Sequence, residues 1–156
     1  MDSRFAQMVE TLHPSFERLV AMPPIGHGRF PRPMPMSGVY LFSVGDRHLY
    51  VGRSDNLRRR YGHHSNPGSQ HNQAVFAFKL AREATGRTAA AYAPGENSRV
   101  GLAADEAFRQ AFMQAKSRIR QMDYRFVVEE DPTRQALLEL CCAIALGCPY
   151  NDFANH

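Results

Sequence analysis

The chain has 156 residues, 44% of them hydrophobic and 22% charged, with a formal charge of +4, a composition long and apolar enough to bury a core without disulfides or metals. Its three cysteines, Cys141, Cys142 and Cys148, are odd in number, two are adjacent and none forms a CxxC pair, which excludes a disulfide framework. The start, MDSRFAQMVETLHP, lacks the basic stretch and apolar run of a secretory signal, and the longest uncharged apolar run is the seven residues Leu140 to Leu146, so a soluble cytoplasmic protein with no membrane partner is expected.

Apolar residues at Phe5, Met8, Val9, Leu12, Phe16, Leu19 and Val20 have helical spacing, and Pro14 is expected to end one short helix or begin a second. MPPIGHGRFPRPMPMS, Met22 to Ser37, holds five prolines and two glycines and reads as an extended connector. Two runs rich in aromatic and β-branched residues, Val39 to Val44 and His48 to Val51, flank Gly45-Asp46 and predict a hairpin. A helix should follow directly, with Ser54 or Asp55 as its cap. Helices are predicted over Gln73 to Thr85 and Ala103 to Met122, with a surface loop between Gly86 and Gly101. YRFVVEE, Tyr124 to Glu130, reads as a third strand, and Pro132 begins a last helix.

Together these elements predict an α+β fold with a small three-stranded antiparallel sheet, made of the hairpin and a late third strand, flanked by helices. The organisation expected is an N-terminal helical segment and connector over residues 1–37 and a domain over residues 38–156, packed as one compact unit overall.

Two features stand out. Between Arg47 and Arg60 there are five arginines against one aspartate, a local surplus equal to the charge of the whole chain. Such a stripe suits phosphate contacts, and equally a solvated helix face. The second feature is Glu139, the one polar residue in the otherwise apolar run Ala136 to Leu146. An unpaired buried carboxylate costs several kcal/mol unless it protonates, finds a cation or binds a metal. Glu139 therefore calls for a partner.

The tripeptides Gly38-Val39-Tyr40 and Tyr50-Val51-Gly52 resemble the paired signature of the GIY-YIG nuclease superfamily, with valine in place of each isoleucine. Ten residues after Tyr50 stands Arg60, matching that family's helical arginine, with His64 one turn further on. Glu139 matches the family's metal-binding glutamate on the helix after the third strand, and Asn151, twelve residues later, its closing asparagine. The resemblance runs from Gly38 to about Asn151, with Ser65 to Asp123 matched only by its place in the order. Helix geometry independently sets Leu57, Arg60, Tyr61 and His64 on one face and turns Arg58 and Arg59 outward.

The resemblance implies a GIY-YIG-like domain that hydrolyses DNA phosphodiester bonds with a divalent cation. Tyr40 would be the general base, Tyr50 a hydrogen-bond donor to phosphate or water, and Arg60 the grip on the scissile phosphate. Glu139 would hold one Mg²⁺ or Mn²⁺, while His64 and Asn151 support the site. A two-metal site would need several carboxylates, and the hairpin and first helix offer only Asp46 and Asp55. Products with a 5′-phosphate and a 3′-hydroxyl are implied. Arg53, Arg58 and Arg59 are expected on flanking phosphates, reading no bases.

The competing reading is a non-catalytic nucleic-acid-binding module that kept the fold. A small structural or interaction protein is a third, and it leaves Glu139 unaccounted for. Only DFANH follows Asn151, so no recognition domain is expected there, and the Gly86 to Gly101 loop is where a recognition insertion could sit. Specificity would otherwise come from a structured or damaged substrate, from a homodimer or from a protein partner. Nothing in the sequence separates DNA from RNA.

Overall fold

The computed structural model describes residues 1–26, 29–87 and 98–153. In chain order its elements are α1 (Ser3–Ala21), β1 (Ile25–Gly26), β2 (Gly38–Val44), β3 (Arg47–Ser54), α2 (Leu57–Ser65), α3 (Val75–Ala84), α4 (Arg99–Ala104), α5 (Glu106–Arg120), β4 (Asp123–Val128) and α6 (Pro132–Leu146). The class is α+β, as the sequence predicts. The chain forms two compact units, one made of Met1–Arg60 and Met122–Asn151, the other built on Tyr61–Gln121.

The first unit is organised by an antiparallel sheet in the order β1-β4-β2-β3. The hairpin β2–β3 turns through Gly45, whose φ of 60° a side chain would resist. Strand β4 pairs with the other side of β2, Tyr40 facing Phe126 and Phe42 facing Tyr124. The sheet has four strands where three were expected: Ile25 and Gly26, inside the proline-rich connector, pair with Tyr124 and Asp123. Two residues carry no alternation of their own, so the partner strand, not the local pattern, defines them.

Alternation along the strands gives the sheet two faces. Val39, Leu41, Val51 and Val127 point to one and pack with Leu12 and Leu19 of α1 and Leu138 and Cys142 of α6. Helix α1 runs unbroken through Pro14, against the expected interruption. Pro14 and Glu10 are both exposed, so the carbonyl that loses its donor can be satisfied by water. Helix α6 is capped by Asp131, whose Oδ1 accepts from the Arg134 N–H at 2.8 Å, and stops at Gly147, with φ of 61°. Its apolar run is not buried all round, for Leu140 and Ile144 are exposed.

The cap of α2 is Asn56 rather than Ser54 or Asp55. Its Oδ1 accepts from the Arg59 N–H at 3.0 Å, while the Ser54 hydroxyl accepts from the Asn56 N–H at 2.9 Å. Leu57, Tyr61 and His64 are buried along one side, Arg60 is half-buried, and Arg58 and Arg59 are exposed. That is the face the helical spacing dictates.

In the second unit Phe78 and Ala81 of α3 pack with Leu102 and Phe108. The helix expected over Ala103 to Met122 is broken at Asp105, whose Oδ1 accepts from the Phe108 N–H at 2.9 Å and so begins α5. Lys116 is buried, donating to the Pro67 carbonyl at 2.6 Å and the Ser69 carbonyl at 2.8 Å, with its ammonium 4.4 Å from the Phe112 ring centre. Burial pulls its ammonium below the usual lysine range. Most of the loop singled out for recognition, residues 88–97, lies outside the described residues.

Candidate active site

The opposite sheet face of the first unit carries the two tyrosines. Tyr40 sits on the central strand opposite Gly52, and Tyr50 lies opposite Phe42, so the tyrosines are diagonal neighbours with ring centres 6.4 Å apart. Tyr124 stacks against Tyr40 at 5.9 Å and an interplanar angle of 27°. The glycines beside them are fixed by close approach. A Cβ on Gly52 would overlap the hydroxyl and ring of Tyr40, and one on Gly38 would overlap the Val127 carbonyl oxygen. The ring of Tyr40 thus crosses the neighbouring strand and reaches the side of β3 only because residue 52 has no side chain.

On β3, Arg53 alternates with Gly52 and turns to the side of α6. Its Nε donates to Glu139 Oε2 at 3.0 Å. The carboxylate that needed a partner has one, and it is an arginine that charge alone assigned to flanking phosphates. Glu139 is also not the fully buried group its apolar neighbours suggest: its side chain retains 23% of its accessible surface. Arg53, Arg60 and Glu139 line one open cleft of about 540 Å³, together with Ser37, Ser54, Asp55, Glu130, Pro132 and Gln135. Among the described residues no carboxylate forms an ion pair with the Arg60 guanidinium, whereas Arg53 and Arg59 each have one.

The proton affinities follow from burial. Tyr40 is held well above the usual phenol range, chiefly by loss of solvent and then by Tyr50, with Arg60 pulling the other way. The pull of Arg60 toward the phenolate loses to burial, so the phenol stays protonated here. Tyr50 is raised to about 12 by burial and by Glu139, against Arg60. Burial also raises Glu139, opposed by Arg53 and Arg60. Tyr40, Tyr50, Arg60 and Glu139 therefore share one electrostatic environment.

Asn151 does something the sequence did not specify. Its Oδ1 accepts from the Val51 N–H at 2.9 Å and its Nδ2 donates to the Val51 carbonyl at 2.8 Å. The Tyr150 N–H adds a bond to the Leu49 carbonyl at 3.3 Å. The side-chain amide takes the place of a neighbouring strand at the free edge of β3 and ties the segment after α6 to the strand of Tyr50. His64 is a buried residue of the second unit and is not among the cleft residues. Arg58 and Arg59 are solvent-facing, Arg59 held to Asp55 at 3.3 Å. Arg53 as the partner of Glu139 and Tyr124 as the stacking wall escaped the sequence reading. Period-two alternation could have turned Arg53 toward α6; nothing local marks Tyr124.

Among the described residues no three His, Cys, Asp or Glu side chains gather as a metal-binding group. Glu139, Asp55 and Glu130 all line the cleft without gathering into such a group, so Glu139 acting as a lone ligand fits a hard cation that keeps most of its water, and does not fit a zinc or multi-carboxylate site. Among the described residues no helix is long and apolar enough to cross a membrane. No protein-family model, curated protein or solved structure matches the chain.

Proposed function

We propose that the chain is a divalent-metal-dependent endonuclease that hydrolyses DNA phosphodiester bonds at the Arg53–Arg60–Glu139 cleft. One observation carries the reading: a half-buried guanidinium with no acidic partner among the described residues and a partly buried carboxylate line one cleft, and both act on the proton affinities of two tyrosines that stand on the other sheet face and are not among the cleft residues. These are the residues on which the resemblance to GIY-YIG nucleases rests.

Phosphodiester hydrolysis needs an activated water, charge to meet the phosphate and relief for the leaving oxygen. Arg60 supplies a forked donor for the scissile phosphate and the charge that gathers on it in the transition state. Tyr50, neutral across the physiological range, donates its hydroxyl to a phosphate oxygen or to the water. Tyr40 would accept the water's proton at Oη only as the phenolate, after its own phenol proton, held at rest by burial, has been lost to solvent. Glu139 would hold one Mg²⁺ or Mn²⁺, whose charge when bound would offset the charge of the phosphate and of the leaving 3′-oxygen and would favour loss of the Tyr40 proton. The products carry a 5′-phosphate and a 3′-hydroxyl. Arg58 and Arg59 meet flanking phosphates from the exposed side of α2, and Asn151 keeps the strand of Tyr50 in place.

A second reading has an observation in its favour. With both phenols held protonated and Glu139 already paired to Arg53, the same cleft could bind a phosphate without cutting it. Supercoiled plasmid separates the two. Wild-type protein with Mg²⁺ is expected to nick it, with nicking abolished by Glu139→Ala and by EDTA. A folded wild type that shifts plasmid in a gel and never nicks it would establish the binding module instead.

A further inference from the structure

The pairing of Arg53 with Glu139 has a functional meaning if Glu139 holds a cation. We propose that Arg53 is a substrate-operated gate: its guanidinium occupies Glu139 in the resting protein, and an incoming phosphate draws it away and opens the carboxylate to the metal. The inference rests on the endonuclease reading above.

Three features of the cleft support it. The contact is monodentate, Arg53 Nε to Glu139 Oε2 at 3.0 Å, so the terminal amino groups of the fork remain for a second acceptor. The Arg53 side chain retains 46% of its surface and that of Glu139 23%, so the arginine is the more open of the two to a ligand arriving from solvent. The exchange also stays local: Arg53 and Glu139 line the same cleft as Arg60, where a phosphate is to be held. A cation on Oε2 would have to displace the guanidinium, and one on Oε1 would meet its like charge across the same carboxylate.

A gate of this kind is a coupling between two ligands, and coupling is reciprocal. Anion binding must tighten the metal site by the factor by which the metal tightens the anion site. Arg53 acts through Glu139 and is a positioning residue, which predicts an effect on metal affinity without DNA present. Mn²⁺ binding followed by its electron paramagnetic resonance signal reads this directly at pH 8. Arg53→Gln should bind Mn²⁺ up to about fivefold more tightly than wild type, a modest exposed ion pair being what is removed. Arg53→Lys keeps the charge and should stay near wild type. Sodium sulfate, compared with sodium chloride at equal ionic strength, should strengthen Mn²⁺ binding to wild type and leave Arg53→Gln unchanged. Thermal melting checks that each variant folds. Equal Mn²⁺ affinity in folded wild type, Arg53→Gln and Arg53→Lys overturns the gate and leaves the endonuclease reading standing. No Mn²⁺ bound by any of them overturns both.

Discussion

Gly52 and Tyr40 show how one residue dictates another across a ladder. The ring of Tyr40 fills the space where a side chain at position 52 would be, so Gly52→Ala should cost about 2–3 kcal/mol by overpacking. Most of that penalty should persist beside Tyr40→Phe, because the ring carbon collides as well as the hydroxyl. Beside Tyr40→Ala it should fall to about 0.5 kcal/mol. A double-mutant cycle by urea titration measures the difference. A penalty that is the same in all three backgrounds would mean the glycine serves something other than this ring. The paired tyrosine-and-glycine pattern is thus a steric unit, whatever chemistry the hydroxyls perform.

At the level of elements, the segment after α6 is held to β3 by the Asn151 amide, and that bond pair is open to direct measurement. Asn151→Ala removes one acceptor and one donor from the Val51 backbone and should cost about 1–3 kcal/mol. The Val51 amide should lose its hydrogen-exchange protection, while that of Leu41 in the centre of the sheet changes less. Unaltered exchange at Val51 would show that the strand edge does not depend on the amide. The hairpin, β4 and the helices other than α4 were legible in the sequence because periods of two and 3.6 run through them, whereas α4 begins at Arg99, inside the stretch expected to be a loop, and is too short to show a period. Strand β1 was not, since two residues have no period. The break at Asp105 was hidden because the apolar spacing continues on either side of it. Glu139 was legible as a charge needing a partner. Its partner was not, because Arg53 lies 86 residues away on another element and reaches it only once β3 and α6 are docked.

At the scale of the whole molecule, the buried tyrosines make stability depend on alkaline pH. In the unfolded chain a phenol loses its proton near ~10, whereas folded Tyr50 keeps it to about 12. Between those values the folded state binds a proton that the unfolded state has lost, so stability falls as pH rises through the window and is fully present below it. For Tyr50 the loss is about 2–3 kcal/mol by pH 12, and Tyr40 shifts in the same direction. Melting temperature against pH should therefore drop above pH 10, and Tyr50→Phe should flatten part of that drop. A wild type with no slope beyond that of the Phe variant would mean that burial does not hold the phenol neutral.

Lys116 also reaches beyond its own turn. The chain has only two lysines, Lys79 and Lys116, among 19 basic residues. An amine-directed acylating reagent thus has two side-chain targets and leaves the arginines of the cleft untouched. The Lys116 ammonium is shut against two backbone carbonyls and the face of Phe112, so it can be acylated only while the 67–69 turn lifts away. Its labelling rate is a built-in clock for the breathing of the second unit.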